Sequence, residues 1–393
     1  MRYRVLITIA QLLLGAGAVA QTENILTNFS TNGGWPFGEV ILDRSGNVYG
    51  MTQYGGSGGC GYVFELLKSR AWTRQTIHSF ACGKEGAYPI SGLAMDSLGN
   101  LYGTTPFGGG CNRGVVFKLT KSGRTWGETV LYSFEGKKDG GHPRSGVTIS
   151  STGVLYGTTY GGCGGGCGTV FTLTRTKTGA WQEKVIHTFI DNGKDGWRPS
   201  GTITIDKSGD IWGTTYYGGA FQYGVVYKLT KTRIGWRESI LHSFSGGEDG
   251  CEPYSGMIFD SSGNAYGTTA QCGQYGDGTV YQLKKSGHTY DNNVILAFNG
   301  PNGDAPTDGK LAMDASGNIY GTTLGGGAYG PGTVFKLAAG TWTYTDLHDF
   351  NGNGIDGYFP RAGPALDSAG NLYGTTSQGG KYDGGTVYRL VLH

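Results

Sequence analysis

The stretch Asp314-Ala-Ser-Gly-Asn-Ile-Tyr-Gly-Thr-Thr323, followed by Gly332-Thr-Val-Phe-Lys-Leu337, decides the fold. Its first five residues are turn formers. The Asp carboxylate can accept backbone N–H groups two residues on, and the Gly can take the positive φ of a short hairpin. The residues after them are β-branched and aromatic, as strands are. The same phrase returns along the chain. Tyr/Trp-Gly-Thr/Met-Thr begins at Tyr49, Tyr102, Tyr156, Trp212, Tyr266, Tyr320 and Tyr373, with spacings of 53, 54, 56, 54, 54 and 53. A Pro stands ahead of each copy, at Pro36, Pro89, Pro143, Pro199, Pro253, Pro306 and Pro360. An apolar run ending in Phe closes each unit, at Phe80, Phe134, Phe189, Phe244, Phe298 and Phe350, with a further copy at Phe29. Self-similarity of this period marks a repeat architecture.

Each repeat reads as four strands, A to D. In the second copy these are Ser91–Met95, Leu101–Thr105, Val115–Leu119 and Trp126–Phe134. Four antiparallel strands repeated seven times predict an all-β, seven-bladed β-propeller. The repeats fall at about 36–80, 89–134, 143–189, 199–244, 253–298, 306–350 and 360–393. The phase gives a second argument. Residues 24–29 form a strand D with no A to C before it, and the last repeat has A to C with no strand D. Pairing the two ends closes the ring and removes an exposed sheet edge. An open β-solenoid would gain nothing from that permutation and would need capping repeats.

Composition agrees. The chain of 393 residues holds 76 Gly, and 12% of it is aromatic. That Gly content argues against a mostly helical protein, in which each interior Gly costs about 1 kcal/mol. There is no Gly-X-Y period for collagen, and the aromatic content can build a core. A net charge of +2, with no basic cluster, gives no reason to expect nucleic acid. Residues 1–20 read as a secretory signal peptide: two early positive charges, an apolar run and Ala18-Val19-Ala20 before the cut. The mature chain, 21–393, is then one propeller without a membrane span, secreted to the extracellular space or periplasm, and expected to be a monomer. Seven Cys fit an oxidising compartment.

The phrase Asp-x-x-Gly-Asn-x-Tyr-Gly-Thr-Thr, then Gly-Gly, then Gly-Thr-Val-Phe-x-Leu, resembles the gloeo-verruco (GloVer) tandem repeat of secreted bacterial proteins of the choice-of-anchor type. The likeness covers essentially the whole mature chain. It implies export, but the sequence stops at Val391-Leu392-His393 with no sorting tail. It brings no established activity and no catalytic residues.

The residues themselves offer few chemical constellations. The repeated Asp43, Asp96, Asp206, Asp260, Asp314 and Asp367, replaced by Ser150 in one copy, read as Asx turns rather than calcium ligands. His78, His187, His242 and His348 share a slot that also takes Tyr132 and Leu296, which reads as packing. The Thr-Thr pair of strand B has no base beside it, so β-propensity is its reading. No cofactor or metal motif is present.

What varies is the D–A and B–C loops, which emerge on one face. They carry Trp35, Tyr88, His142, Trp197, Phe221, Tyr223, Tyr254 and Tyr358, aromatic rings suited to stacking on a glycan or clasping a protein. The expected function is therefore a binding module with its ligand on this face. The alternative is a hydrolase or lyase for a polysaccharide or lactone, with Asp139, Asp195, Asp249, Glu252 and Asp356 holding a divalent ion at the central opening. All the Cys fall in the same loops. Cys60–Cys82 and Cys251–Cys272 are the expected disulfides; Cys163 and Cys167 either pair locally or one of them takes Cys111.

Overall fold

In the computed structural model, residues 21–162, 167–306 and 309–392 are described. The leader read at 1–20 and Cys163 lie outside them. Blade 1 runs through Ile41–Leu42, Val48–Thr52, Tyr62–Leu67 and Thr73–Ser79. Blade 2 has Ala94–Met95, Leu101–Thr105, Val115–Ser122 and Thr125–Ser133. Blade 3 has Thr148–Ile149, Leu155–Thr159, Thr169–Arg175 and Trp181–Thr188. Blade 4 has Thr204–Ile205, Ile211–Gly218, Val225–Thr232 and Gly235–Ser243. Blade 5 has Ile258–Phe259, Ala265–Thr269, Thr279–Ser286 and Thr289–Ala297. Blade 6 has Ala312–Met313, Ile319–Gly325, Thr333–Leu337 and Tyr344–Asp349. Blade 7 takes Ala365–Leu366, Leu372–Thr376 and Asp383–Val391 from the end of the chain, and its strand D is Thr22–Ser30 from the start. That closing pair is antiparallel, with Thr22 opposite Val391. All seven blades are antiparallel sheets in the order A-B-C-D, a seven-bladed propeller.

Strand A is shorter than the sequence implies. In blade 2 only Ala94 and Met95 pair with strand B, instead of Ser91 to Met95. The preceding residues turn toward the axis and bond between blades. Thr104 Oγ1 donates to the Ser145 carbonyl of the next blade at 2.7 Å, and Thr214, Thr322 and Thr375 do the same to Ser255, Ala362 and Gly38. In these four blades the first Thr of the pair is therefore a tie between blades, a role beyond strand propensity, whereas Thr268 Oγ1 has no partner.

The core lies between blades. Each strand D Phe meets the strand C aromatic of the next blade, as in Phe80–Phe117, Phe189–Tyr227 and Phe350–Tyr388, with ring centroids 5.2, 5.0 and 5.2 Å apart. The strand B glycine makes room for that aromatic. A Cβ on Gly103 would stand 2.6 Å from the Phe117 ring, and one on Gly321 would stand 2.5 Å from Phe335. The Tyr-Gly-Thr-Thr phrase thus pairs a strand with the ring that must lie flat across it.

The A–B turns follow the Asx reading. Asp314 Oδ1 accepts the N–H groups of Ser316 and Asn318. Its Oδ2 accepts the Asn318 side-chain amide and the Tyr320 hydroxyl. Asn318 Oδ1 then accepts the Ala339 N–H, which joins the A–B turn to the C–D turn of the same blade. No helix among the described residues is long and apolar enough to cross a membrane.

Candidate functional site

The D–A loops reach the axis through one backbone device. The residue before each Pro is left-handed: Trp35, Tyr88, His142, Arg198, Glu252, Ala305 and Phe359 have φ of 65, 57, 55, 58, 58, 50 and 59°. A non-Gly residue there costs about 1 kcal/mol or more, and such strain persists only where the surroundings over-determine it. Here they do. Each of these N–H groups donates to a carbonyl in the B–C loop or at the start of strand C of the preceding blade, as in Trp35 to Gly384, Tyr88 to Cys60, His142 to Arg113 and Phe359 to Pro331. Several of their carbonyls then accept from their own blade's B–C loop: Gln53 donates to Trp35, Tyr160 to His142, Ala270 to Glu252 and Ser377 to Phe359. The backbone is held by backbone, so the conformation does not depend on the side chain; the His142 ring meets Arg113 and the Pro106 carbonyl, each at 2.8 Å.

The next residue after each Pro turns into the axial opening. Phe37, Ile90, Arg144, Ser200, Tyr254 and Arg361 line a cavity of about 650 Å³ together with Pro106, Phe107, His142 and Tyr160. That volume suits a small ligand. The sixth blade's equivalent, residue 307, lies outside the described residues.

The lining is aromatic and cationic, with one carboxylate, Glu39. Trp35, Tyr54, Tyr88, Phe107 and His142 follow one another in edge contacts at 5.6, 5.6, 6.2 and 5.3 Å. Arg144 lies over Tyr160 at 3.9 Å and Arg361 over Phe37 at 4.7 Å. Arg198 stands 4.7 Å from the Trp197 ring and 5.3 Å from Tyr160. Tyr216 and Tyr254 extend the arc, 4.5 Å apart. Among the described residues no carboxylate stands within ion-pair distance of Arg144, Arg198 or Arg361. Arg361 Nε and Ser200 Oγ are buried there without a partner.

Two ionisable residues, Glu39 of the cavity wall and Lys310, meet near the axis. Ten residues ahead of each strand B aromatic, five repeats carry Gly92, Gly146, Thr202, Gly256 and Gly363; blades 1 and 6 carry Glu39 and Lys310 instead. The Lys310 N–H donates to Glu39 Oε1, and its Nζ donates to the Ile203 carbonyl across the axis at 3.3 Å. Lys310 lies over Gly256, where a Cβ would stand 2.5 Å from its Cε. Burial pushes the Glu39 carboxyl up, with Lys310 opposing that, and burial pushes the Lys310 ammonium down.

The residues expected from sequence separate into groups. His142 and Tyr254 line the cavity. Trp35 and Tyr88 belong to the aromatic arc beside it, and Trp197 to the Arg198 cluster. Phe221 and Tyr223 are exposed on the B–C loop, and the Tyr358 hydroxyl donates to Asp383 Oδ1 at 2.7 Å. Arg144, Arg361 and the Glu39–Lys310 pair were not anticipated. Cys60–Cys82 and Cys251–Cys272 are disulfides, with Cα atoms 5.3 and 5.4 Å apart, and they fasten the same loops. Cys111 is an exposed thiol.

The acids of the alternative reading lie elsewhere. None of Asp139, Asp195, Asp249, Glu252 and Asp356 lines the axial cavity. Asp139 accepts the Tyr132 hydroxyl, and Asp249 and Asp356 meet His242 and His348 at 3.0 and 3.1 Å. The strand D histidines do pack on the following Phe, at 4.6 to 4.7 Å. They also have an acidic neighbour, which the packing reading omitted.

The family model described as the Gloeobacter/Verrucomicrobia repeat matches residues 16–171, 148–307 and 253–393. The chain belongs to that family. Each matched span covers about three consecutive blades of the Gloeobacter/Verrucomicrobia family's propeller. No curated protein matches the chain. Among solved structures, it is similar to a candidate 6-phosphogluconolactonase from Bacteroides uniformis, with 16% identity, TM-score 0.56, and coverage of 84% of this chain and 88% of that one. A candidate oxidoreductase (glucose dehydrogenase) from Thermus thermophilus shares 14% identity at TM-score 0.46, covering 95% of this chain and 100% of that one. A protein of unknown function from Dyadobacter fermentans shares 13% at TM-score 0.46, covering 94% and 98%. At these identities the likeness concerns the fold alone.

Proposed function

We propose that this member of the Gloeobacter/Verrucomicrobia repeat family is an exported carbohydrate-binding module. Its ligand is an oligosaccharide bearing carboxylates, and the axial cavity is the site. The observation that carries this reading is the pairing of Arg144 and Arg361 with aromatic rings on the cavity wall. Rings stack on sugar faces, and a guanidinium held flat on a ring presents its donors in the fork that matches a carboxylate. The rigid, strained D–A backbone supports the reading, because a preorganised site loses little freedom on binding.

The test is calorimetry on the full chain with uronic-acid oligosaccharides, neutral gluco-oligosaccharides and a panel of extended peptides, with products analysed for cleavage. Saturable binding of the uronates is expected. Arg361→Ala should weaken it about 10- to 100-fold, the worth of a hydrogen bond to a charged group, while the melting temperature stays unchanged. Equal binding of neutral sugars, binding of peptides alone, or chain cleavage would each overturn the proposal.

A further inference from the structure

A second constellation lies away from the axis, at the junctions between blades. Between blades 3 and 4 it consists of His187 on strand D, Asp195 in the loop that follows, and Glu238 on the next strand D. A β-bulge at Ile186, where the register against Val170 and Phe171 shifts, re-aims His187 toward the neighbouring blade. Its ring is fixed in an edge contact with Phe189 at 4.6 Å.

The distances are informative. His187 Nε2 stands 3.5 Å from Asp195 Oδ2 and 3.4 Å from Glu238 Oε1. Both exceed the usual N–H···O length of roughly 2.7–3.2 Å. They match the edge of a tetrahedron: ligands bound at about 2.1 Å to one ion stand about 3.4 Å apart. One ligand atom from each of the three residues lies within 4.8 Å of the other two. Asp195 is only 6% exposed, and its Oδ1, like His187 Nε2 and Glu238 Oε1, has no hydrogen-bond partner. Asp195 Oδ2 accepts the Ile190 N–H at 3.0 Å, and a buried polar atom left unpaired, as the other three are, costs about 1–3 kcal/mol.

The repeat supplies its own controls. Between blades 6 and 7 the same residue types recur as His348, Asp356 and Glu23. Nε2 is 3.1 Å from Asp356 and 3.6 Å from Glu23, Asp356 is 4% exposed, and Asp356 Oδ1 and Glu23 Oε1 have no partner. A third copy, His78 with Glu85 and Glu128, is looser, with 3.8 Å from Nε2 to Glu128. Between blades 4 and 5 the second acid is replaced by Asn292. There His242 closes to 3.0 Å on Asp249, and the Asn292 amide faces its ring nitrogen at 3.3 Å. Between blades 2 and 3, Tyr132 replaces the His and donates to Asp139. In those two, as between His348 and Asp356, the contact to the Asp is an ordinary hydrogen bond. The triad of blades 3 and 4 combines an imidazole, a buried Asp and a Glu with both His contacts longer than a hydrogen bond.

We propose that His187, Asp195 and Glu238 bind one divalent transition-metal ion, best matched by Zn²⁺, and that His348, Asp356 and Glu23 bind a second. Each ion would staple two adjacent blades. One nitrogen and two carboxylate ligands at these spacings suit Zn²⁺, whereas Ca²⁺ takes six to eight oxygens at longer range. The His187 and Glu238 side chains are each 18% exposed, so solvent can supply the fourth ligand. The proposal is independent of the carbohydrate site, which these residues do not line.

The experiment uses the full chain without an affinity tag, stripped with chelator and dialysed against Zn²⁺, Ca²⁺ or Mg²⁺, then read by elemental analysis, calorimetry and thermal melting. Retention of two Zn²⁺ equivalents and a raised melting temperature are expected with Zn²⁺ alone. Glu238→Gln and Glu23→Gln should each remove one equivalent, and the affected site should weaken more than about 100-fold, beyond the loss of an outer-shell partner. Asn292→Glu tests the idea in the other direction and should add an equivalent at the junction of blades 4 and 5. Co²⁺ loading should give the absorption bands of a four-coordinate ion. Retention of less than one Zn²⁺, or retention unchanged by both Glu→Gln variants, overturns the proposal. So does a melting temperature that the Glu→Gln variants raise without metal and that Zn²⁺ leaves unmoved, since the triads would then be shared-proton networks.

Discussion

The A–B turns and the pre-proline residues of the D–A loops are both repeated around the ring, yet they treat their side chains in opposite ways. At the turns the side chain is what satisfies the backbone. Asp43, Asp96, Asp206, Asp260, Asp314 and Asp367 each accept the N–H four residues on, at 2.9 or 3.0 Å, so the residue type hardly varies. Ser150, the one exception, keeps a single such bond, from Val154 at 3.1 Å. In the D–A loops the backbone bonds to other backbone, so Trp, Tyr, His, Arg, Glu, Ala and Phe all occupy one left-handed conformation. A scaffold can vary its chemistry only where its geometry does not depend on that chemistry.

This contrast can be broken experimentally. The largest effect is expected from Asp314→Ala, which leaves two backbone N–H groups, the Asn318 amide and the Tyr320 hydroxyl without their acceptor. A loss of about 2–4 kcal/mol is expected from bonds to a charged group, measured by denaturant unfolding. Asp314→Ser should cost less, because Ser150 shows that a hydroxyl can hold the turn.

A smaller effect should appear with acid. Burial works against ionisation of Asp96, Asp314 and Asp367. Hydrogen bonds from the Asn side chain and backbone, the Tyr hydroxyl and a further N–H outweigh it and hold these carboxyls below the ordinary value. A depressed carboxyl stabilises the fold above its unfolded value and loses that contribution as pH falls through the folded one. The melting temperature should therefore fall below about pH 4, and Asp314→Ser should show a shallower fall.

The smallest change belongs to the other region. Ala305→Gly relieves a left-handed residue but frees the unfolded chain, two terms of about 1 kcal/mol each. Stability should shift by less than about 1 kcal/mol. A large loss would show that the side chain, and not the backbone, holds this position.

How far the site could be read follows from the same contrast. His142 and Tyr254 were visible because aromatic rings in variable loops stand out. Arg144 and Arg361 were missed, though the position after each Pro was available for alignment. Glu39 and Lys310 had a clear signal too, since they replace Gly or Thr at one repeat position. Glu238 had none. It lies on a strand, in a different repeat from His187, and only the packing of one blade on the next brings them together.

The sequence by itself determined the blade, its number and the closure of the ring, because hairpin turns, strand glycines and alternating apolar residues are local chemistry repeated at a fixed period. Tertiary structure alone decided which variable residues converge on the axis and which acids meet histidines between blades. Those contacts depend on the angle between neighbouring blades, which many weak inter-blade contacts set together and no single repeat encodes.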